Sequence, residues 1–216
     1  ETITVPGVGC LLLAPPSPAL DTVYPFNSSF LFVVPESMGE REPDGRWNSH
    51  STVTLDLMAD PRRVPFDREV YVNLRLSPYL APETPWQRAV FSWGSGRRGE
   101  VSLQGREWIS LPTRVVDWTG SWLWTLHISV DLPDGVDGDW LHLPVRRADG
   151  GGTWTVPALV DIPSGVVGRM EHRSLAVMFQ ELSVSVSPRG RVVTPTSEAA
   201  SQGVRPAIDP GDPKLL

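Results

Sequence analysis

Cysteine is almost absent from this chain. Cys10 stands alone among 216 residues, which excludes an intrachain disulfide framework and a cysteine-based zinc cage. Its ordinary role is that of a small buried apolar residue. Lysine is equally scarce: of 19 basic residues only Lys214 is not an arginine. The formal net charge of -6 argues against the broad basic face of a dedicated nucleic-acid-binding domain. Long hydrophobic runs are also missing. The longest, Val8 to Pro16, is too short to cross a bilayer and ends in Pro15-Pro16. No basic residue precedes it, so it does not read as a secretory signal, and no membrane anchor is expected. The chain opens on Glu1 rather than Met, and a cut from a precursor or a truncation is the expectation.

Catalytic patterns are missing as well. The four histidines, His50, His127, His142 and His172, show no metal-ligand spacing, and His127 reads as a surface residue. Ser92-Trp93-Gly94-Ser95-Gly96 is followed by Arg97-Arg98-Gly99-Glu100 and a strand, whereas a nucleophile elbow needs a helix there. Asp149-Gly150-Gly151-Gly152 lacks the lysine and helix of a phosphate-cradling loop. Asp134, Asp137 and Asp139 crowd a glycine-rich turn without a calcium-ligand pattern. The expectation is no enzyme, no catalytic residue, no metal site and no cofactor.

What the chain does contain is proline, tryptophan and alternation. Its 22 prolines rule out a largely helical fold, because proline removes a donor and breaks helix interiors. Its 9 tryptophans are large apolar bodies that must be buried in a core, an interface or a ligand groove. Val53, Leu55 and Leu57 alternate with Thr52, Thr54 and Asp56, which predicts a half-buried strand. Val70, Val72, Leu74 and Leu76 share one face of the next. The clearest strand runs from Ser121 to Leu132, with Trp122, Trp124, Leu126, Ile128 and Val130 on one side. Pro133-Asp134-Gly135 then predicts a hairpin to Leu141, Leu143 and Val145. Trp154 to Ile162 forms another strand, and Pro157 marks it as an edge or a bulge. Leu175, Val177 and Phe179 are out of phase with Leu182, Val184 and Val186, so a β-bulge is expected at Gln180-Glu181. Phe30 to Val34 reads as a short buried strand.

About eight strands with turn signals between them predict an all-β jelly-roll β-sandwich with extended N- and C-terminal arms. The expected division is an arm at 1–27, a sandwich at 28–187 and a tail at 188–216. Leu11, Leu12 and Leu13 lie in an apolar, proline-rich arm that is expected to run along a neighbouring subunit. Trp118 and Trp140 flank turns and are candidates for an interface anchor or an exposed stacking ring. Arginine pairs recur at predicted turns: Arg62-Arg63, Arg97-Arg98 and Arg146-Arg147. They are either solvated loop charge or phosphate contacts along one rim. A GC-rich coding sequence produces the same arginine bias with no functional meaning.

Two stretches, Phe66-Asp67-Arg68-Glu69-Val70-Tyr71-Val72-Asn73-Leu74-Arg75 and Asp117-Trp118-Thr119-Gly120-Ser121-Trp122-Leu123-Trp124 with the return from Trp140, resemble the small coat protein of comoviruses and their relatives, plant viruses with picornavirus-like capsids. The resemblance implies a jelly roll that packs with copies of itself and other coat protein subunits around genomic single-stranded RNA. It also implies a place in the virion, reached through the host cytoplasm during assembly, and cutting from a polyprotein. The alternative from a different class is a carbohydrate-binding or adhesion-type β-sandwich using exposed tryptophans.

Overall fold

Alternating apolar and polar side chains set the strands. The computed structural model of the protein describes residues 2–5, 9–12, 18–27, 37–39, 41–59, 63–65, 67–80, 85–118, 124–146, 153–159 and 169–197, with backbone alone at 2–5, 9–12, 124, 137–146, 153–159, 169–174 and 197. In chain order the strands are β1 (Thr2–Val5), β2 (Gly9–Leu12), β3 (Val23–Pro25), β4 (Arg46–Trp47), β5 (Thr52–Ala59), β6 (Glu69–Pro78), β7 (Gln87–Trp93), β8 (Arg97–Leu103) and β9 (Glu107–Arg114). They continue with β10 (Trp124–Asp131), β11 (Val136–Arg146), β12 (Thr153–Leu159), β13 (Arg169–Leu175), β14 (Val177–Ser185), β15 (Arg191–Val192) and β16 (Thr196–Ser197). Among the described residues the one helical element is a 3-10 turn at Val115–Asp117.

The chain is all-β, and two main sheets share one hydrophobic core. The first sheet has the order β15-β9-β6-β14-β3, with β4 also paired to β14. The second has the order β16-β8-β7-β10-β5. Val53, Leu55 and Leu57 of β5, Leu126, Ile128 and Val130 of β10, and Phe91 and Trp93 of β7 line the core from one side. Val70, Val72, Leu74 and Leu76 of β6, Ile109 and Leu111 of β9, and Phe179, Leu182 and Val184 of β14 line it from the other. Trp93 crosses between the sheets: its indole N–H donates to the Pro112 carbonyl of β9 at 2.9 Å, so the large ring is buried without an unmet donor. Phe26 meets Phe179 edge to face, with ring centroids 5.8 Å apart.

The phase reversal in β14 is a β-bulge. Phe179 pairs with Leu76 and Glu181 with Arg75, so Gln180 is the extra residue. The bulge keeps both halves of β14 facing the core, since a one-residue slip turns every side chain over. The β7–β8 hairpin turns through Gly94 (φ 57°) and Gly96 (φ 80°), a backbone region that suits glycine.

The expected hairpin between the 121–132 strand and the 141–145 strand does not form. β10 lies between β5 and β7, so both of its edges are occupied. β11 instead pairs with β12 and β13 in a separate three-stranded sheet between β10 and β14 in the chain. Pro157 sits in β12, an edge of that sheet, where the missing donor costs least.

The two-layered body reaches into both segments expected to be arms. β3 pairs with β14, and Phe26 is buried in the core. At the other end β15 pairs with β9, β16 pairs with β8, and Val193 is buried between them. The expected strand Phe30 to Val34, Trp122 and the tail beyond Ser197 lie outside the described residues.

Candidate interaction surface

The outer face of the first sheet is built around a strap, residues 186–197. β6 sends Asn73 outward and β9 sends Ser110 outward, yet both are fully buried. The strap covers them. The Arg189 backbone N–H donates to Asn73 Oδ1 at 3.1 Å and to Ser110 Oγ at 3.2 Å, and the Gly190 N–H donates to Ser110 Oγ at 3.2 Å. Asn73 Nδ2 donates to Ser185 Oγ at 2.7 Å. Each buried polar group therefore has a partner, the condition under which such a network stabilises rather than costs.

Glycine permits the close approach. A Cβ on Gly190 would lie 2.1 Å from the Trp108 carbonyl oxygen, and one on Gly99 would lie 2.4 Å from Val193 Cγ1. Beyond Gly190 the strap runs parallel to β9, drops Val193 into the core and joins β8 at Thr196 and Ser197. One segment thus adds a short strand to one edge of each sheet, covering part of a row of N–H and C=O groups that would otherwise be open to other chains.

Trp108 of β9 anchors a cationic stack beside the strap. The Arg75 guanidinium lies 5.9 Å and the Arg189 guanidinium 5.6 Å from its ring centroid. Carboxylates balance much of the positive charge. Arg75 pairs with Glu181 at 2.8 Å, and Arg191 pairs with Glu107 at 2.9 Å. On β6, Tyr71 donates to Glu69 at 2.7 Å. That bond, with desolvation and the Glu69 charge behind it, raises the phenol above its ordinary range. Burial, followed by the charge of Arg41, holds Arg46 below the usual arginine value.

The second sheet presents side chains of β5, β7 and β10 on its outer face. His127 of β10 pairs through Nδ1 with Asp56 of β5 and is 63% exposed. Thr54, Ser92 and Ser129 surround it above an open depression of about 230 Å³. Among the described residues no three His, Cys, Asp or Glu side chains gather as a metal site. No helix among them is long and apolar enough to cross a membrane.

The sequence-derived candidates are scattered over this framework. Leu11 and Leu12 lie in β2, which pairs with β1; Leu13 is outside the described residues. Trp118 is not an exposed ring. It is 4% exposed, belongs to the core and donates to Thr113 Oγ1 at 2.9 Å, because the 3-10 turn folds it under the end of β9. Trp140 lies in β11, opposite Leu159 and Glu171. Arg97 is committed to structure: it donates to the Pro112 carbonyl at 2.9 Å and pairs with Asp117 at 2.9 Å. Arg98 beside it and Arg63 are exposed. Arg146 ends β11 opposite Thr153, and Arg62 and Arg147 fall outside the described residues.

Trp108, Asn73 and Ser110 were not singled out by sequence reasoning. The one signal for Asn73 was its outward position in the β6 alternation, which reads as solvated until the strap is known. No protein-family model, no curated protein and no solved structure matches this chain.

Proposed function

We propose that the chain is a structural coat protein of a non-enveloped icosahedral RNA virus, folded as a jelly roll and tiling a shell through sheet and arm contacts. The strand order carries this reading. A jelly roll is a long eight-stranded antiparallel hairpin wound on itself, so strands pair one with eight, two with seven, three with six and four with five. Let the split β3/β4 position be the first strand, followed by β5, β6, β7, β8, β9, β10 and β14. The observed pairs are then β3 and β4 with β14, β5 with β10, β6 with β9, and β7 with β8. Winding brings β14 beside β6 and β10 beside β7. On this reading β11 to β13 are an insertion between the seventh and eighth strands.

Jelly rolls also occur in lectins and cupins. What favours a shell is the N-terminal hairpin. Among the described residues β1 and β2 pair only with each other, and a lone two-stranded hairpin is marginal in water. Apolar chain such as Cys10-Leu11-Leu12-Leu13-Ala14 gains stability by burial against a neighbour. The proposed partners are copies of this chain, other coat subunits and genomic single-stranded RNA. Of the arginine pairs, Arg63 and Arg98 are exposed among the described residues and are the proposed phosphate contacts. The proposed location is the virion, with assembly in the host cytoplasm.

The test is electron microscopy and native mass spectrometry of the purified protein across concentration and ionic strength, alone and with RNA. Closed shells or symmetric capsomers are expected. A protein that stays monomeric under every condition overturns the reading. A second reading, a carbohydrate-binding sandwich, loses Trp118 as a stacking ring, since it is buried in the core.

A further inference from the structure

The N-terminal arm joins the sandwich through a strained turn. The Thr22 N–H donates to the Ala19 carbonyl at 3.4 Å, a four-residue turn with Asp21 in its third place. Positive φ in that place favours glycine or asparagine. Asp21 adopts φ 60°, and it is the one non-glycine residue with positive φ among the described residues. Such a conformation costs energy in a residue with a Cβ and persists where its surroundings over-determine it. Two hydrogen bonds hold it. The Asp21 N–H donates to the Val184 carbonyl of β14 at 2.8 Å. The Asp21 carbonyl accepts from the Arg189 guanidinium of the strap at 2.9 Å.

Both bonds lead back to the fastening of the strap. Arg189 carries its guanidinium 5.6 Å from the Trp108 ring centroid, and its own N–H is bonded to Asn73 and Ser110 beneath it. Asn73 also donates to Ser183 Oγ at 3.3 Å and to Ser185 Oγ at 2.7 Å, the residues on either side of Val184. On the arm's side, Leu20 bridges to Val184 and Val23 pairs with Ser183. The seated strap and the root of the arm therefore share Arg189 and the 183–185 end of β14. A contiguous hydrogen-bond network of this kind is a physical route for coupling two segments.

We infer that strap and arm root form one latch: seating residues 186–193 fixes the take-off of the N-terminal arm, and opening them frees it. Arg189 is the positioning residue. It acts through the Asp21 carbonyl, so the chain presents its arm in a set direction only once its C-terminal strap is in place. The consequence for assembly rests on the coat-protein reading, in which β1 and β2 dock on a neighbour; the latch itself does not.

The test is hydrogen–deuterium exchange of the isolated full chain, read in peptides over residues 18–24, 186–193 and 124–131. Arg189→Ala removes the guanidinium but keeps the backbone N–H that Asn73 and Ser110 hold. It is expected to speed exchange over 18–24 by about threefold to tenfold, the range of one hydrogen bond of ordinary net strength, with 124–131 unchanged. Ser110→Ala takes a partner from the Arg189 and Gly190 N–H groups and is expected to speed exchange over both 186–193 and 18–24. Arg191→Ala is the control. It breaks the pair with Glu107 and the bond to the Ser102 carbonyl while the Asn73 and Ser110 bonds stay, and it is expected to leave 18–24 unmoved. Exchange over 18–24 that is unchanged in Arg189→Ala, that rises equally in Arg191→Ala, or that rises only together with 124–131 overturns the latch. Because the chain is isolated, these outcomes decide the latch whether or not it forms shells.

Discussion

Ser110 donates its hydroxyl to Asn73 Oδ1 at 2.7 Å, and this pair on the outward face of the first sheet is sealed from water by the strap. Asn73 is the hub, since its oxygen also receives the Arg189 N–H and its amide nitrogen reaches Ser183 and Ser185. Asn73→Ala strands several buried groups at once, and an unmet buried polar group costs about 1–3 kcal/mol. The expected outcome is a loss of that order in chemical denaturation, with faster tryptic cleavage after Arg189 and Arg191 as the strap opens locally. Unchanged cleavage would show that the network does not hold the strap.

Gly99 and Val193 form the second fastening. The Cβ of Gly99→Ala would meet Val193 Cγ1 at 2.4 Å, and overpacking of this kind costs about 1–3 kcal/mol. Val193→Ala removes the obstructing methyl. The double variant is therefore expected to be more stable than the sum of the two single losses, by a coupling of about 0.5–3 kcal/mol. Additive losses in a thermal-denaturation cycle would mean that the β8 backbone, not Val193, absorbs the added methyl.

The strands that read clearly in the sequence are those with one wet face and one dry face. Thr52 to Leu57 and Leu126 to Val130 alternate because each buries one side only, and Val70 to Leu76 alternates in the same way although the strap also covers its outward Asn73. The Gln180 bulge was legible for the same reason, since its phase flip is the bulge. The strap was not legible. It pairs by two residues at β15 and two at β16 and buries a single side chain, Val193, too little for any period to register. The β10 hairpin was misread because chain adjacency suggests β11 as partner, while β5 and β7, distant in sequence, take both edges. Trp118 was misread because a ring next to a turn looks exposed unless the 3-10 turn's direction is known.

Tyr71 offers a spectroscopic check of the outer face. Its bond to Glu69 raises the phenol above the ordinary tyrosine value of about 10. With the folded value above the unfolded one, the associated stability is fully present below the unfolded value. It is lost as pH rises through the folded value. An ultraviolet difference titration against Tyr71→Phe is expected to show one phenol ionising late, and Glu69→Ala is expected to bring it back down. A Tyr71 titration unmoved by Glu69→Ala would remove Glu69 as the cause.

The arm separates assembly from folding. Pro18 onward joins the sandwich: Leu20 and Tyr24 pack on the core, Leu20 bridges to Val184, and the Ala19 N–H donates to the Tyr24 hydroxyl at 2.9 Å. The strands β1 and β2 upstream pair only with each other among the described residues. Deleting residues 1–17 is therefore expected to leave the denaturation midpoint of the isolated chain within experimental error while abolishing or strongly reducing assembly. Apolar area docked on a neighbour contributes about 25 cal/mol per Å², so a short arm contributes appreciably to the interface. Leu11→Asp and Leu12→Asp in the full chain are expected to do the same without shortening it, because a neighbour would have to bury an unpaired carboxylate. Normal assembly after the deletion, or loss of the fold with it, would show that the hairpin belongs to the sandwich rather than to a contact between subunits.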